Sequence, residues 1–280
     1  MGGGPKRRDL NPGSAEPERS APRTHHPNDE IAMTKAVLIT GGSRGIGRAT
    51  ARLLGARGWC VGVNYVRDLA AAQQTVAEVE HAGGRAVPIA GDVANEADVT
   101  GMFDTLQQSF GRIDALVNNA GIVAPSSQLA DMDFARLKRV FDVNVLGAYL
   151  CAREAARRMS TQRGGAGGAI VNVSSAAARL GSPNEYVDYA GSKGAIDTMT
   201  LGLAKELGPQ GVRVNAVRPG LIDTEIHASG GKPERAAQLG ATTPLGRPGR
   251  ADEVAEAIVW LLSDASSYVT GALFDVAGGR

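Results

Sequence analysis

Thr40-Gly41-Gly42-Ser43-Arg44-Gly45-Ile46-Gly47 joins the first apolar run of the chain to the first segment of helical spacing. Gly41, Gly45 and Gly47 allow the backbone to turn tightly, to approach a pyrophosphate closely and to present helix N-terminal amides to it. Because this turn lies between a strand and a helix, it predicts a dinucleotide-binding site, although its spacing is G-x-x-x-G-x-G rather than G-x-G-x-x-G. The candidate cofactor-binding residues here are Gly41, Ser43, Arg44, Gly45, Ile46 and Gly47.

The rest of the chain repeats this alternation of strands and helices. The predicted strands are Ala36–Thr40, Cys60–Asn64, Ala86–Ala90, Ile113–Asn118, Ala169–Val173, Val212–Val217 and Ala272–Val276. The predicted helices are Ile46–Arg57, Leu69–His81, Glu96–Phe110, Phe134–Met159, Asp188–Leu207 and Asp252–Leu262. Strands that are apolar throughout and bounded by helices are typical of a parallel sheet covered on both faces. The pattern predicts a single doubly wound α/β domain of about seven strands over residues 34–280, with right-handed crossovers.

The same glycine-rich turn also matches the G-x-S-x-G nucleophile elbow of serine hydrolases, which likewise connects a strand to a helix. Such an elbow follows several strands, whereas here only residues 1–33 and one strand precede the turn. Its histidine partner would be His81 or His227, and neither lies near the C-terminal end, where the order Ser…Asp…His requires it. The position of the turn therefore disfavours a hydrolase.

Composition narrows the class of protein further. Residues 1–33 combine recurring prolines with charged residues and almost no apolar residues, which predicts a disordered extension. The net charge of +1 offers no electrostatic argument for nucleic acid or an anionic membrane, and no apolar run reaches the length of a membrane span. Cys60 and Cys151 lie in separate apolar segments, which indicates reduced buried thiols and a cytoplasmic protein. With four histidines, two of them in the extension, the chain offers little for a metal site.

The choice between phosphorylated and unphosphorylated dinucleotide is made about 20 residues after the glycines, at the end of the second strand. The chain has Asn64-Tyr65-Val66-Arg67 there, and the first acid is Asp68. A carboxylate at the strand end would repel a 2′-phosphate, whereas Arg67 and Arg44 can pair with one. The sequence therefore predicts NADP(H), with NAD(H) as the alternative if both arginines are merely solvated. Asn64, Tyr65 and Arg67 join the candidate cofactor site.

A candidate catalytic pair lies in the predicted helix Asp188–Leu207. Tyr189 and Lys193 are one turn apart, so their side chains share a face. A free tyrosine, with a pKa near ~10, exchanges protons poorly at neutral pH, but a fixed ammonium lowers that pKa. Ser175, at the end of an apolar run, can hold a carbonyl oxygen while Tyr189 gives or takes its proton. Because such a pair is common on surface helices, it indicates a catalytic site only in combination with the other motifs.

Seven ordered motifs resemble the single-domain branch of the short-chain dehydrogenase/reductase family, from Lys35 to Arg280. They are Thr40–Gly47, Gly91-Asp92-Val93, Asn118-Asn119-Ala120-Gly121, Asn144, Ser174-Ser175, Tyr189-x-x-x-Lys193 and Pro219-Gly220. The resemblance implies a single-domain Rossmann fold and an NAD(P)(H)-dependent oxidoreductase that interconverts a small-molecule carbonyl and a secondary alcohol. It also implies a homotetramer built through the two long helices that begin at Phe134 and Asp188, with the C-terminal strand as a second interface.

The resemblance further assigns catalytic roles. Tyr189 is the general acid/base, Lys193 lowers its pKa and holds the nicotinamide ribose, Ser175 polarises the substrate oxygen, and Asn144 holds a water that connects Lys193 to solvent. Ser175 precedes Tyr189 by 14 positions where 13 is usual in the family. The extra residue is expected to be absorbed within Gly181-Ser182-Pro183-Asn184.

The remaining motifs are expected to serve the cofactor. Asp92 and Val93 resemble the adenine pocket, although Asp92 could instead cap the next helix together with Asn95. The motif that begins at Asn118 lies beside the ribose, and within it Asn119 is expected to brace neighbouring strands. The cofactor residues implied in these motifs are Asp92, Val93, Asn118, Ala120, Gly121, Tyr189, Lys193, Pro219, Gly220, Ile222 and Thr224.

The substrate stays open at this stage. Leu221–Pro248 has little periodic pattern, which is typical of a mobile substrate lid. A 3-oxoacyl thioester or similar ketone and a sugar or polyol, as in glucose dehydrogenases, are both compatible with the motifs. A non-catalytic dinucleotide-binding regulator is the hypothesis from another class, and the complete set of Asn144, Ser175, Tyr189 and Lys193 argues against it.

Overall fold

The computed structural model describes residues 1–4, 34–226, 230–232 and 234–280. The chain divides into two units, Met1–Met33 and Thr34–Arg280. The predicted disorder of residues 5–33 lies outside the described residues, as does His227. Everything below concerns the second unit.

Seven parallel strands form the central sheet. They are β1 (Ala36–Ile39), β2 (Cys60–Tyr65), β3 (Arg85–Ala90), β4 (Ala115–Asn118), β5 (Gly168–Val173), β6 (Val212–Pro219) and β9 (Leu273–Val276). Their order across the sheet is β3-β2-β1-β4-β5-β6-β9. Two further strands, β7 (Ile222–Asp223) and β8 (Gly249–Arg250), pair in parallel with each other. The predicted doubly wound parallel sheet is confirmed, and one end of each predicted strand moves by one or two residues.

Helices cover both faces of the sheet. Within the described residues they are α1 (Gly45–Gly55), α2 (Leu69–His81), α3 (Glu96–Phe110), α4 (Phe134–Phe141), α5 (Gly147–Met159), α6 (Ala177–Leu180), α7 (Val187–Leu207), α8 (Arg235–Gly240) and α9 (Ala251–Leu262). Short 3-10 turns lie at Leu129–Asp131, Thr161–Arg163, Gly208–Gln210 and Asp264–Ser266. None of these helices is both long and apolar enough to cross a membrane.

The predicted helix Phe134–Met159 is interrupted. A π-helical turn, Asp142–Leu146, separates α4 from α5. Such turns insert one extra residue per turn and occur frequently at functional sites. Apolar periodicity does not reveal the interruption, because the apolar face continues through it.

The site is positioned by β1, which lies between β2 and β4 in the sheet. Its residues alternate between the two faces of the sheet: Val37 and Ile39 pack in a core cluster that also contains Leu54 of α1 and Ile258 of α9. Leu38 packs in the other cluster, which includes residues of α3 and α5. After β1 the chain continues through α1 to β2 on one side of β1, and after β3 it returns through α3 to β4 on the other side. The direction of strand addition therefore reverses at β1. That reversal creates the crevice in which such sheets bind ligands.

The predicted lid segment contains regular structure in its described part. Ile222 and Asp223 of β7 pair with Gly249 and Arg250 of β8, and α8 lies between them in the chain. Residues 227–229 and 233 of the predicted lid lie outside the described residues.

Candidate active site

The glycine-rich turn connects β1 to α1 in a conformation that requires glycine at two of its positions. Gly45 has a φ of +52°, in the left-handed region that side chains disfavour. A Cβ on Gly47 would lie 2.7 Å from Asn119 Nδ2 and would also collide with the Gly41 carbonyl oxygen. The first turn of α1 therefore packs directly against the backbone of the turn, with its N-terminal amides at the crevice.

Two asparagines hold this turn from below. Asn64 accepts a hydrogen bond from Gly41 N through Oδ1 (3.0 Å) and donates to Gly91 O from Nδ2 (2.9 Å). Asn119 donates from Nδ2 to Thr40 O (2.9 Å) and Gly41 O (3.0 Å), which confirms its predicted bracing role. The sequence predicts a cofactor contact for Asn64, but its buried side chain is committed to the protein. Its contribution to the site is to hold the turn.

Asn118 also differs from its predicted place. Its side chain is buried and donates to Ala148 O (2.8 Å) and Asn172 Oδ1 (3.3 Å), between β4, β5 and α5. The side chain is therefore not directed to a ribose, and only the backbone of Asn118 remains for that contact. Ala120, two residues on, uses its own N–H to donate to Thr40 Oγ1 (2.9 Å).

Two arginine side chains have no partner within the described residues. Arg44, in the glycine-rich turn, and Arg67, just after β2, are exposed, and neither guanidinium makes a hydrogen bond or ion pair with any of the described residues. The nearby acid, Asp68, caps α2 by accepting from Ala71 N (2.9 Å). The Ser43 carbonyl accepts a hydrogen bond from Thr75 Oγ1 (3.4 Å), which holds the turn against α2. Because both guanidinium groups are free among the described residues and the Asp68 carboxylate already caps α2, these residues are better suited to bind an anionic group than the hydroxyls of a ribose.

Asp92, which is predicted to line the adenine pocket, forms hydrogen bonds within the protein. Asp92 accepts from Ala94 N (3.0 Å) and pairs with Arg139 (3.2 Å), so both of its oxygens have partners. Asn95 alone caps α3, accepting from Ala97 N and Asp98 N. Val93 is buried against Gly147.

The catalytic candidates converge beyond the end of β5. The Ser175 hydroxyl lies beside the phenol of Tyr189, close enough to lower its pKa, and accepts from Ala177 N (3.1 Å). Ser174 is buried and donates instead to the backbone carbonyl of Lys193 (3.1 Å). The two serines therefore face opposite sides, and Ser175 is the one that reaches Tyr189.

Lys193 is buried beside Tyr189. Its Nζ donates to Val173 O (2.6 Å) and lies 5.6 Å from the centroid of the Tyr189 ring. Burial lowers the pKa of Lys193 to about 8. Burial also raises the pKa of Tyr189 above its usual value, and the Ser175 hydroxyl opposes this only in part. The sequence predicts that Lys193 lowers the pKa of Tyr189; in the structure burial has the largest effect and raises that pKa, so Tyr189 stays protonated at neutral pH.

Asn144 lies in the π-helical turn and is buried. Its Oδ1 accepts from Ile122 N (2.8 Å), and its Nδ2 donates to Ile122 O (2.9 Å) and Ser192 Oγ (3.1 Å). Both hydrogen-bond donors of the Asn144 amide are thus used within the protein. The predicted water would have to bind to Oδ1 or to the backbone of Asn144. A Cβ built on Gly121 would lie 3.5 Å from both Asn144 Oδ1 and Lys193 Nζ, so these groups meet beside Gly121.

The sequence predicts one extra residue in the segment between Ser175 and Tyr189. Within it, Ser182 and Asn184 have φ values of +45° and +62°. Side chains rarely adopt this left-handed region, and such residues concentrate near functional sites. Both strained residues lie in the segment where the sequence predicts that the extra length is absorbed.

The residues expected to contact the nicotinamide lie at the end of β6 and just after it. The Pro219 carbonyl accepts from Ala176 N (2.9 Å), and Gly220 N donates to Val276 O (3.0 Å). Thr224 reaches the glycine-rich turn, because a Cβ on Gly45 would lie 3.4 Å from its Cγ2. Ile222 is buried in the core, so its side chain is not exposed to the crevice.

Three ion pairs near the site have no signal in the sequence. Arg136 Nε donates to Asp188 Oδ2 (2.9 Å), and Asp188 Oδ1 accepts from Tyr189 N (2.9 Å), which ties α4 to the start of α7. Glu185 pairs with Arg235 of α8 (2.6 Å) and Lys232 (2.8 Å). The partners are about 50 positions apart, so no local spacing predicts them.

Comparison with known proteins places this geometry in context. A family model described as Enoyl-(Acyl carrier protein) reductase matches residues 41–280. An uncharacterized oxidoreductase of Escherichia coli (strain K12), YgfF, is 54% identical over 243 residues, covering 87% of this chain and 98% of its own. A short-chain type dehydrogenase/reductase from Mycobacterium marinum superposes with a TM-score of 0.82 at 37% identity, covering 88% and 96%. A 3-ketoacyl-(acyl-carrier-protein) reductase from Brucella melitensis, complexed with NADH, has a TM-score of 0.81 at 32% identity, covering 88% and 98%.

Proposed function

We propose, since the chain belongs to the short-chain dehydrogenase/reductase family, that it is an NADP(H)-dependent enzyme that interconverts a carbonyl and a secondary alcohol. The family makes it an oxidoreductase; the cofactor preference and substrate are the proposal. The observation that carries it is the cluster at the carboxyl edge of the sheet, where the Ser175 hydroxyl lies beside the phenol of Tyr189 and the Lys193 amine lies 5.6 Å from the centroid of the tyrosine ring.

The proposed mechanism assigns the proton to Tyr189. When bound, the nicotinamide cofactor supplies or accepts the hydride. In reduction, Ser175 donates a hydrogen bond to the substrate carbonyl oxygen, and Tyr189 transfers its phenolic proton to that oxygen. The raised pKa of Tyr189 keeps this proton in place before the reaction. The charge of Lys193 stabilises the phenolate that remains, and the space shared by Lys193 and Asn144 beside Gly121 offers the path for its reprotonation.

The cofactor preference rests on two arginine side chains, Arg44 in the glycine-rich turn and Arg67 just after β2. The residues fit a phosphorylated dinucleotide, because Arg44 and Arg67 lack partners within the described residues while Asp68 is committed to capping α2. The Brucella relative was solved with NADH, which belongs to that protein. For this chain we propose a pairing of both arginines with the 2′-phosphate.

A cofactor titration tests this preference. We expect NADPH to bind at least tenfold more tightly than NADH, which is ~1.4 kcal/mol, in fluorescence or thermal-shift titrations. Arg67→Gln should weaken NADPH binding and leave NADH binding unchanged. Arg163→Gln, an exposed arginine just before the amino end of β5, is the matched control and should change neither. Tighter binding of NADH would contradict the phosphate clamp and assign the ribose to Asp68 or a backbone group.

For the substrate we propose a 3-oxoacyl thioester or a similar ketone, with a sugar or polyol as the alternative. The activity for which the Brucella relative is named supports the first. A panel of 3-oxoacyl thioesters, simple ketones, aldoses and polyols, followed by NADPH absorbance, distinguishes them. An enoyl thioester belongs in the panel because the matching family is described as an enoyl reductase. Turnover of the enoyl thioester alone would contradict the carbonyl mechanism.

The exposed faces of α4 and α5 support assembly. Phe134 and Phe141 of α4, Leu146 of the π-helical turn and Tyr149 of α5 are 78, 40, 55 and 46% exposed. Large apolar side chains on one helical surface are typical of an interface. We expect a homotetramer, with a mass by light scattering four times the 28.9 kDa of the chain. A monomer mass at micromolar concentration would contradict this assembly.

A further inference from the structure

Asp197 is a buried carboxylate one helical turn beyond Lys193 on α7. It is only 7% exposed. Its Oδ2 accepts two hydrogen bonds from Arg218, from Nε (3.0 Å) and Nη2 (2.8 Å). Its Oδ1 is buried and has no hydrogen-bond partner among the described residues. One oxygen is thus held by a cation, while the other is left without compensation in the interior.

The charges around Lys193 are few and can be named. Asp197 lies on its own helix, and Arg218 lies on β6 directly before Pro219. Asp275 of β9 is 3.9 Å from Arg218 and is 42% exposed in its side chain. Arg179, just after β5, pairs with Asp275 (3.4 Å). The other titratable group beside Lys193 is Tyr189, and its neutral contact is the carbonyl of Val173.

Residues four apart on a helix have Cβ atoms about 5–6 Å from each other. Lys193 and Asp197 therefore lie on the same face of α7, both buried, and inside a protein opposite charges interact far more strongly than in water. Burial alone lowers the pKa of Lys193, and Asp197 acts in the opposite direction. Arg218 holds Asp197 in place, so the carboxylate cannot swing out to solvent.

We propose that Asp197 is a positioning residue of the active site, whose carboxylate, anchored by Arg218, keeps the Lys193 amine charged next to Tyr189. This rests on the proposed function, in which the charge of Lys193 stabilises the tyrosine phenolate. Asp197 does not touch the substrate; it acts through Lys193.

The pH profile of kcat/KM for ketone reduction tests the proposal in the intact enzyme. In the wild type the basic limb should fall near pH 8, where Lys193 loses its proton. Asp197→Asn should move that limb to lower pH by about one unit, and Asp197→Glu should restore it. Asp275→Asn, which removes the other carboxylate facing Arg218, is the control and should leave the limb in place. An unchanged limb in Asp197→Asn would overturn the proposal.

A second measurement is independent of turnover. The rate at which an N-hydroxysuccinimide acetate ester acetylates Lys193, followed by peptide mass spectrometry across pH, reports its neutral fraction. The midpoint should fall in Asp197→Asn and stay in Asp275→Asn. If Asp197→Asn fails to fold because Arg218 is left unpaired, Asp197→Asn/Arg218→Gln removes both charges, and its midpoint should still fall. A midpoint equal to that of the wild type in a folded variant overturns the role of Asp197. A lowered midpoint together with no turnover of any ketone supports the role of Asp197 and refutes the proposed reaction.

Discussion

Replacing Tyr189 by phenylalanine is expected to lower kcat by about 10²–10⁴-fold, the usual contribution of a positioned proton donor. Within the described residues the phenol lies beside both the Ser175 hydroxyl and the Lys193 amine. Phenylalanine keeps the ring and removes the proton. NADPH affinity, measured by titration, should therefore change little while steady-state turnover is lost.

The matched control for this substitution is Tyr268→Phe, since Tyr268 is fully exposed and should keep full turnover. Ser175→Ala should lower kcat as well, because the substrate oxygen loses a hydrogen bond. A Tyr189→Phe protein that keeps its biological function would instead favour a dinucleotide-binding regulator without catalysis.

Gly47→Ala is expected to damage both the fold and the cofactor site. The new methyl group would collide with the Gly41 carbonyl oxygen and lie 2.7 Å from Asn119 Nδ2. It would therefore enter the hydrogen bond by which Asn119 braces the turn (3.0 Å). Because both partners are held by backbone and strand pairing, α1 has to shift, at a cost of about 1–3 kcal/mol in the free energy of unfolding. NADPH and NADH affinity should fall together, since the displaced turn serves either cofactor.

Urea denaturation with a matched glycine measures this cost. Gly101 also lies in a helix, α3, but a Cβ there meets nothing within 4 Å. Gly101→Ala should raise the free energy of unfolding by about 0.5–1 kcal/mol through helix propensity, with no effect on cofactor binding. Equal stability of Gly47→Ala and the wild type would show that the turn tolerates a side chain and would remove the steric argument for Gly47.

Local spacing in the sequence determined the fold class and the core of the site. Apolar runs bounded by helices predict a parallel sheet without knowledge of its strand order, because such strands are compatible only with two covered faces. The glycines of the first turn and the one-turn spacing of Tyr189 and Lys193 depend on neighbours within a few residues, so they too can be inferred from the chain alone. The carboxyl edge of the sheet then follows from the parallel arrangement.

The tertiary structure alone decided which polar side chains are free to act. Asn64 and Asn118 match cofactor motifs, yet partners from other strands and helices occupy both side chains. The pKa of Tyr189 is raised because burial, which no motif encodes, outweighs its polar neighbours. The pairs Arg136–Asp188 and Asp197–Arg218 join residues 52 and 21 positions apart. Sequence spacing constrains residues that share a helix or strand, whereas desolvation and hydrogen bonding depend on which elements pack together in space.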